Sequence, residues 1–531
     1  FDNAEFEKDA NFGGSEFNSY AQFMSSAFDE TADFYAVRFN RFADFSKTEF
    51  NCTADFRSGR FMDKQDFNYY ARDQDQEILK FIADAYLGSA RSDQMLDGYN
   101  LRPGFFGHVN FSEAEFRDDA KFMGADFKED INFENAAFNR SAQFYDAAFT
   151  GNANFQNASF KKMADFWCAG FHDAIFDKAK FYYIAEYSGT RFNGTASFDN
   201  ATFNNAANFL GGEFIEDAKF TGAEFNGDAS FGDMRSGWHS PGRRYYYSPR
   251  LMSVLISPDY IKGTKFISTV DFSRSRFDYA PDFFGTDFNS TAYFISTKFN
   301  NTADFSSVGF NDTASFLQAE FKRDAIFEGA DFRGYANFKA ARFNGTADFS
   351  RTMFNNDACF SNAEFNDNAD FVNVKFNITD FASAQFTKDA HFGDAQFAGR
   401  AVFNKSNFKG DALFENSSFQ KELSLTRARY NKLFLRWHSI EKGGLAYDDA
   451  AYMSLMKNFK DIGYYEDYDG CYYAYRKAHR SEDWPSVPDW EEAIRKFIDY
   501  PLEWFYGYGT KPFHAFFWSL GIVLAFFLYW R

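Results

Sequence analysis

The residues Ala347-Asp348-Phe349-Ser350-Arg351-Thr352-Met353-Phe354-Asn355-Asn356-Asp357, with Ala358 opening the next unit, decide the fold. Two Phe stand five apart, and Phe360 follows six later. The same alternation runs from Phe1 through Phe6, Phe12, Phe17 and Phe23 to Phe67. It resumes from Phe111 to Phe231, with Tyr187 in place of one Phe, and again from Phe266 to Phe419. Sixty-four of the 78 Phe stand in this register. A spacing of five or six fits neither a helix stripe, with its period of about 3.6, nor a strand, with its period of about 2.

A solenoid does fit. If each side of a square coil is a short extended run closed by a turn, one large residue per side points inward. The Ala two positions earlier also points inward, because side chains alternate along a strand. Its small volume leaves room for the rings. Stacked coils then set Phe on Phe in ladders, and ring contacts add to burial. Two eleven-residue units make a coil of about 22 residues, a repeat length typical of solenoids. Burying each Phe contributes roughly 1.5–3 kcal/mol. The spacing slips to five, five, five across Phe166 to Phe181 and across Phe371 to Phe386. Each slip is expected to remove one corner residue and alter the coil outline without breaking it.

These units resemble the pentapeptide-repeat family, specifically its Phe-rich branch with alternating spacing of five and six. The resemblance implies an all-β right-handed quadrilateral β-helix. On this reading β-helix occupies 1–67, 105–231 and 266–419. Phe1 is already in phase and is not preceded by a Met, so an expected solenoid end either stacks on another molecule or has lost preceding residues.

Two stretches interrupt the register. Within 68–104, Ile78, Leu79, Ile82, Ala85 and Tyr86 have helical spacing behind an acidic first turn, so a helical insertion is expected. The loop insertion 232–265 holds Trp238, Arg243, Arg244, Tyr245, Tyr246 and Tyr247. It reads either as a flank cover or as a binding loop, since Tyr and Arg suit recognition.

After Phe419 the composition changes. Residues 420–436 read as a capping segment, 447–461 and 465–480 as a helical pair around Gly463, and 488–505 as a further helix. Together 420–510 form a helical capping module. The string from Tyr452 to Asp467 is similar to the helical module that follows the solenoid in membrane-anchored family members. The segment 511–531 is expected to be a transmembrane helix, because Phe513 to Trp530 carries no full charge over 18 residues. Trp518, Tyr529 and Trp530 suit membrane interfaces, and Lys511 and Arg531 bracket the ends. In similar members a potassium-channel pore sometimes follows such a helix. Gly507-Tyr508-Gly509 precedes the helix and lacks a preceding Thr-Val, so it is not read as a selectivity filter.

Composition narrows the function. The net charge is −19, from 56 Lys and Arg against 75 Asp and Glu, which disfavours a broad phosphate-binding surface and nucleic acid. Cys52, Cys168, Cys359 and Cys471 form no CxxC, and no Walker loop, GxSxG, HExxH or EF-hand loop occurs. An enzyme and a cofactor are not expected. The outward Asp ladder offers at most weak Ca²⁺ binding. Asn-x-Ser/Thr occurs at Asn51, Asn110, Asn139, Asn157, Asn193, Asn200, Asn289, Asn300, Asn311, Asn344, Asn377, Asn404 and Asn416. The repeat itself favours such triplets, so stacked turn Asn residues compete with glycosylation as the explanation. With glycosylation, the solenoid stands on the extracellular face of a cell membrane.

The leading expectation is a non-enzymatic, membrane-anchored structural component of a cell envelope, surface layer or filament, bound through Phe513–Trp530 and assembling with its own copies. The alternative is an extramembrane scaffold or sensor domain of a pentapeptide-repeat ion channel. A third reading, a DNA mimic that inhibits topoisomerase, is permitted by the family and the charge, but a membrane helix argues against it.

Overall fold

Four short parallel strands per coil build the chain's main body. The computed structural model describes residues 1–57, 104–232, 263–481 and 489–530 and divides into two units, Phe1–Asn356 and Asp357–Arg531. Counting both units, the chain is a parallel β-solenoid of about 16 turns with C-terminal helices.

In the first unit, Glu5–Phe6 pairs with Ala27–Phe28, Ala10–Asn11 with Ala32–Asp33, Glu16–Phe17 with Arg38–Phe39, and Ala21–Gln22 with Ala43–Asp44. All four pairings are parallel and join equivalent sides of successive coils. The rings point inward as the spacing predicts. Phe327 lies 4.9 Å from Phe305 and 4.8 Å from Phe349, nearly parallel to both. Those separations match the strand spacing of about 4.8 Å, so the backbone ladder sets the ring ladder. Across the tube, Phe327 meets Phe316 edge-on at 5.3 Å and Phe338 at 5.4 Å. Both geometries are favoured by the ring quadrupole. Ala303, Ala325 and Ala347 are fully buried beside them.

Turns follow from the same units. Thr352 N–H donates to Phe349 O at 3.1 Å, closing a turn in which Arg351 takes φ 59°. The position accepts Asn3, Ser25, Lys47, Asn135 and Gly222 alike, all with positive φ. Asp348 stabilises this turn, its carboxylate accepting from Ser350 N–H at 2.9 Å.

The corner deletions behave as expected. Ala153 pairs with Ala174, a coil one residue short, and Ala174 pairs with Ala196. Phe155 and Phe176 still stack at 4.8 Å and 4°. The missing residue comes from the polar bend between Phe171 and Ala174, so the inward set is untouched.

At the first interruption the coil resumes at Phe105. Phe105 pairs with Phe39 and with Phe127, and its ring stacks on both. Phe105 therefore takes the ring position after Phe56 that the repeat assigned to Phe61. Phe61, Phe67 and the helix expected within 68–104 lie outside the described residues. At the second interruption, Lys265–Phe266 pairs directly with Glu213–Phe214, so the coil resumes in register.

Tyr187 fills a Phe position and is fully buried, stacked on Phe166 and Phe209. Its hydroxyl has no hydrogen-bond partner among the described residues. Tyr187→Phe is expected to stabilise the fold by about 1–2 kcal/mol, because it removes an unsatisfied buried donor while keeping the ring. Chemical-denaturation midpoints of the two proteins test this.

In the second unit, Glu364–Phe365, Gln385–Phe386, Asn407–Leu413 and Arg429–Phe434 form a parallel ladder on one side. Among the described residues, five α-helices follow: α1 (Trp437–Ile440), α2 (Asp449–Asp461), α3 (Tyr465–Ser481), α4 (Asp489–Tyr506) and α5 (Pro512–Tyr529). Asp448 caps α2 through Ala451 N–H at 2.8 Å, and Gly463 takes φ 81° between α2 and α3. The expected helical pair is therefore present, within two residues at each end.

These helices close the solenoid edge. Asn458 of α2 is buried; its Oδ1 accepts from Leu433 N–H at 3.0 Å and its Nδ2 donates to Leu433 O at 2.8 Å. One side-chain amide thus stands in for the next strand. Asp467 of α3 accepts from Trp437 N–H at 2.6 Å and pairs with Arg436 at 2.8 Å. Leu433, Leu435, Ile440, Leu455, Phe459 and Cys471 are buried around this seam.

The expected transmembrane helix needs correction. Its residues do form α5, but among the described residues no helix is long and apolar enough to cross a membrane. Eighteen residues in α5 rise about 27 Å at 1.5 Å each, short of a hydrocarbon core of about 30 Å.

Candidate functional site

Outward polar side chains on the coils are largely committed to the coils themselves. Asn51 Nδ2 donates to Asp29 at 2.7 Å, Asn300 to Asp278 at 2.6 Å and Asn311 to Asn289 at 2.6 Å. Asn110 accepts from Ser112 N–H at 3.0 Å, Asn139 donates to Glu115 at 2.8 Å, and Asn404 accepts from Thr426 N–H at 3.1 Å. A glycan on Asn51, Asn139, Asn300 or Asn311 would leave Nδ2 a single hydrogen for the bond it now makes to a neighbouring coil. Asn157, Asn200 and Asn416 instead sit exposed at positive φ in turns. Asn193, Asn289 and Asn344 are exposed just after an inward Phe, while Asn377 is half-buried in a shortened bend.

The Asp ladder has a structural explanation. Asp44, Asp271, Asp304, Asp370 and Asp380 each accept from the backbone N–H two residues on. Asp119, Asp130, Asp173 and Asp324 accept instead from an N–H one coil further along. Among the described residues, no three His, Cys, Asp or Glu side chains converge as a metal site. The binding-loop residues Trp238, Arg243, Arg244, Tyr245, Tyr246 and Tyr247 lie outside the described residues.

The densest unusual chemistry sits where α3, α4 and α5 meet. Buried Asp499 takes Arg476 at 2.6 Å and the Tyr508 hydroxyl at 2.6 Å. Arg480 bridges Glu503 at 2.6 Å and the Tyr508 oxygen at 3.1 Å, and Tyr473 OH donates to Glu503 at 2.9 Å. Burial pushes Glu503 up, but its Arg480 and Tyr473 hydrogen bonds prevail and hold it below the usual carboxylate range. Burial and the Asp499 bond both push the Tyr508 phenol up, so it stays protonated as the donor. Tyr508 has φ 59° and ψ 22° between Gly507 and Gly509. The Gly-Tyr-Gly string is therefore a sharp joint between α4 and α5, held by a buried acid and two Arg.

Beside this joint is a cavity of about 740 Å³, lined by Tyr473, Phe497, Tyr500, Glu503, Trp504 and His514 among others. Beyond it, α5 buries almost nothing. Phe513, Phe516, Phe517, Val523, Phe526 and Leu528 are each more than 60% exposed. Trp490, Phe497 and Trp504 of α4 are similarly bare. A contiguous apolar surface of this kind marks a docking or membrane site. The apolar run was legible in the sequence. The acid-Tyr-Arg joint was not, since Arg476 and Arg480 lie 32 and 28 residues before Tyr508 and the sequence suggests for them only cations near the end of a helix.

The family profile described as Pentapeptide repeats (9 copies) matches residues 105–147, 187–235, 294–342, 349–396 and 381–429. The described residues of all five segments fall on the Phe-lined coils. These segments are similar to pentapeptide repeats. No curated protein and no solved structure matches the chain.

One outward position in the solenoid departs from solvated behaviour. Glu186 is 1% exposed, with its carboxylate accepting from Ser188 N–H and from Asn208 Nδ2, each at 3.0 Å. Burial outweighs those bonds, Asp165 adds repulsion, and the group is pushed up to about 7. A raised folded value means the protonated form favours folding. That contribution is fully present below about 4.3, the unfolded value, and is lost as pH rises through 7. Glu186→Gln is expected to match the parent near pH 4 and to exceed it by about 1–3 kcal/mol at pH 8. Thermal melts of both proteins at the two pH values read this out.

Proposed function

We propose that this chain is a non-enzymatic pentapeptide-repeat scaffold that its C-terminal aromatic helices seat at a lipid surface. The solenoid supplies a stiff body whose outward side chains are polar and whose core is closed. The observation that carries the reading is α5, apolar and exposed over most of its length in a chain whose coil rings are packed inward. Water tolerates such a surface poorly, at roughly 25 cal/mol for each Å² left uncovered. Aromatic residues crowd the same module, with Trp504 and Trp518 in contact at 4.1 Å, as suits the boundary between acyl chains and headgroups.

Flotation of the full chain with phosphatidylcholine vesicles tests this. The parent is expected to float with the vesicles. Phe516→Ser/Val523→Ser/Phe526→Ser is expected to bind at least about tenfold more weakly with an unchanged melt, since each change removes buried apolar area. A parent chain that stays at the bottom of the gradient would sink the proposal.

A further inference from the structure

The net charge of −19 conceals one basic face. Between residues 388 and 442, ten Lys and Arg outnumber six Asp and Glu. Six of those cations gather on one side of the last coils of the second unit. Lys388 lies two residues beyond Gln385–Phe386, Lys409 lies within Asn407–Leu413, and Arg429 and Lys432 lie within Arg429–Phe434. These strands are parallel neighbours. Lys405 and Arg427 each precede the second and third strands by two residues, in turns at φ 59° and 56°. All six are exposed.

Several arginines on other coils are answered by acids. Arg117, Arg191, Arg276 and Arg351 each meet a carboxylate within 3.0 Å. Among the described residues, none of the six does so. The acids closest in sequence are engaged: Asp389 accepts from Asp411 N–H at 2.8 Å, and Asp411 accepts from Asn431 at 3.1 Å. Like charges repeated about 4.8 Å apart on adjacent strands repel. The fold does not require them, since Asn51, Asn139 and Asn300 hold the position of Lys409 in other coils.

We propose that this face docks on the anionic headgroups of a lipid bilayer. Charge complementarity selects an anionic partner. The apolar α4–α5 surface in the same unit selects a bilayer over a nucleic acid, so the inference rests on the lipid reading above. Basic residues at a membrane surface act through the negative potential of acidic lipids and fail at high salt.

The experiment is flotation of the full chain with vesicles of phosphatidylcholine alone or with about a third phosphatidylserine, at low salt and at about 0.5 M salt. The parent is expected to bind the anionic vesicles at least tenfold more tightly, and salt is expected to erase the difference. K388Q/K405Q/K409Q/R427Q/R429Q/K432Q is expected to bind both vesicles as the parent binds neutral ones, with a melting temperature no lower than the parent's. Equal binding of the parent to both vesicles, or an unchanged preference in the six-fold variant, overturns the inference while leaving the lipid reading intact. A preference for anionic vesicles with no binding to neutral ones supports the basic face and overturns the α5 reading. Tight binding to duplex DNA or RNA without binding to anionic vesicles assigns the face to nucleic acid and overturns the inference.

Discussion

Phe327→Ala is expected to lower the unfolding free energy by about 3–5 kcal/mol, as for other fully buried Phe. The ring is fully buried and stacks on Phe305 and Phe349. It also meets Phe316 and Phe338 edge-on. Collapse into the void is hindered, because each neighbouring ring is tied to its own coil by strand pairing on both sides. Ala therefore leaves a cavity as well as losing transfer energy. The exposed Tyr279→Ala serves as control and should shift stability by no more than about 0.5 kcal/mol. Denaturant unfolding followed by circular dichroism measures both. A Phe327→Ala midpoint equal to that of the control would show that the rings do not carry the fold.

Asn458→Ala is the second large effect, expected at about 2–4 kcal/mol. The side chain satisfies both the N–H and the carbonyl of Leu433 at the solenoid edge. Truncation orphans two buried backbone groups at once, each costing about 1–3 kcal/mol. The loss also opens an edge strand to intermolecular pairing, so light scattering should rise on mild heating. Asn458→Asp separates the contributions. It keeps an acceptor for Leu433 N–H, removes the donor, and buries a charge, so it should be less stable at pH 7 than at pH 4. Equal stability of Asn458→Asp at the two values would argue that the amide is solvated.

Much of this architecture was legible because contacts in a solenoid are periodic. An inward residue meets its equivalents one coil away, so packing imposes the same type at the same interval. The helical pair was legible for local reasons, apolar spacing and a break at Gly463, while the capping role of Asp448 came from the structure. Less was legible where two residues of one type compete. Phe61 continues the pattern, yet Phe105 stacks on Phe39, because the point where the chain re-enters decides which ring fills the slot. Helix α5 shows another limit, since an apolar run reads alike for a core, a surface or a membrane.

From residue order alone came the inward Phe and Ala, the turns between them, the shortened coils and the existence of the terminal helices, because each depends on neighbours in sequence or at a constant interval. Only the three-dimensional arrangement decided that Asn458 ends the ladder, that Asp499 and Arg480 clamp Tyr508, and that six cations share one side of a net-acidic chain. Those features join residues separated by varying lengths of chain, and no periodicity records which of them will meet.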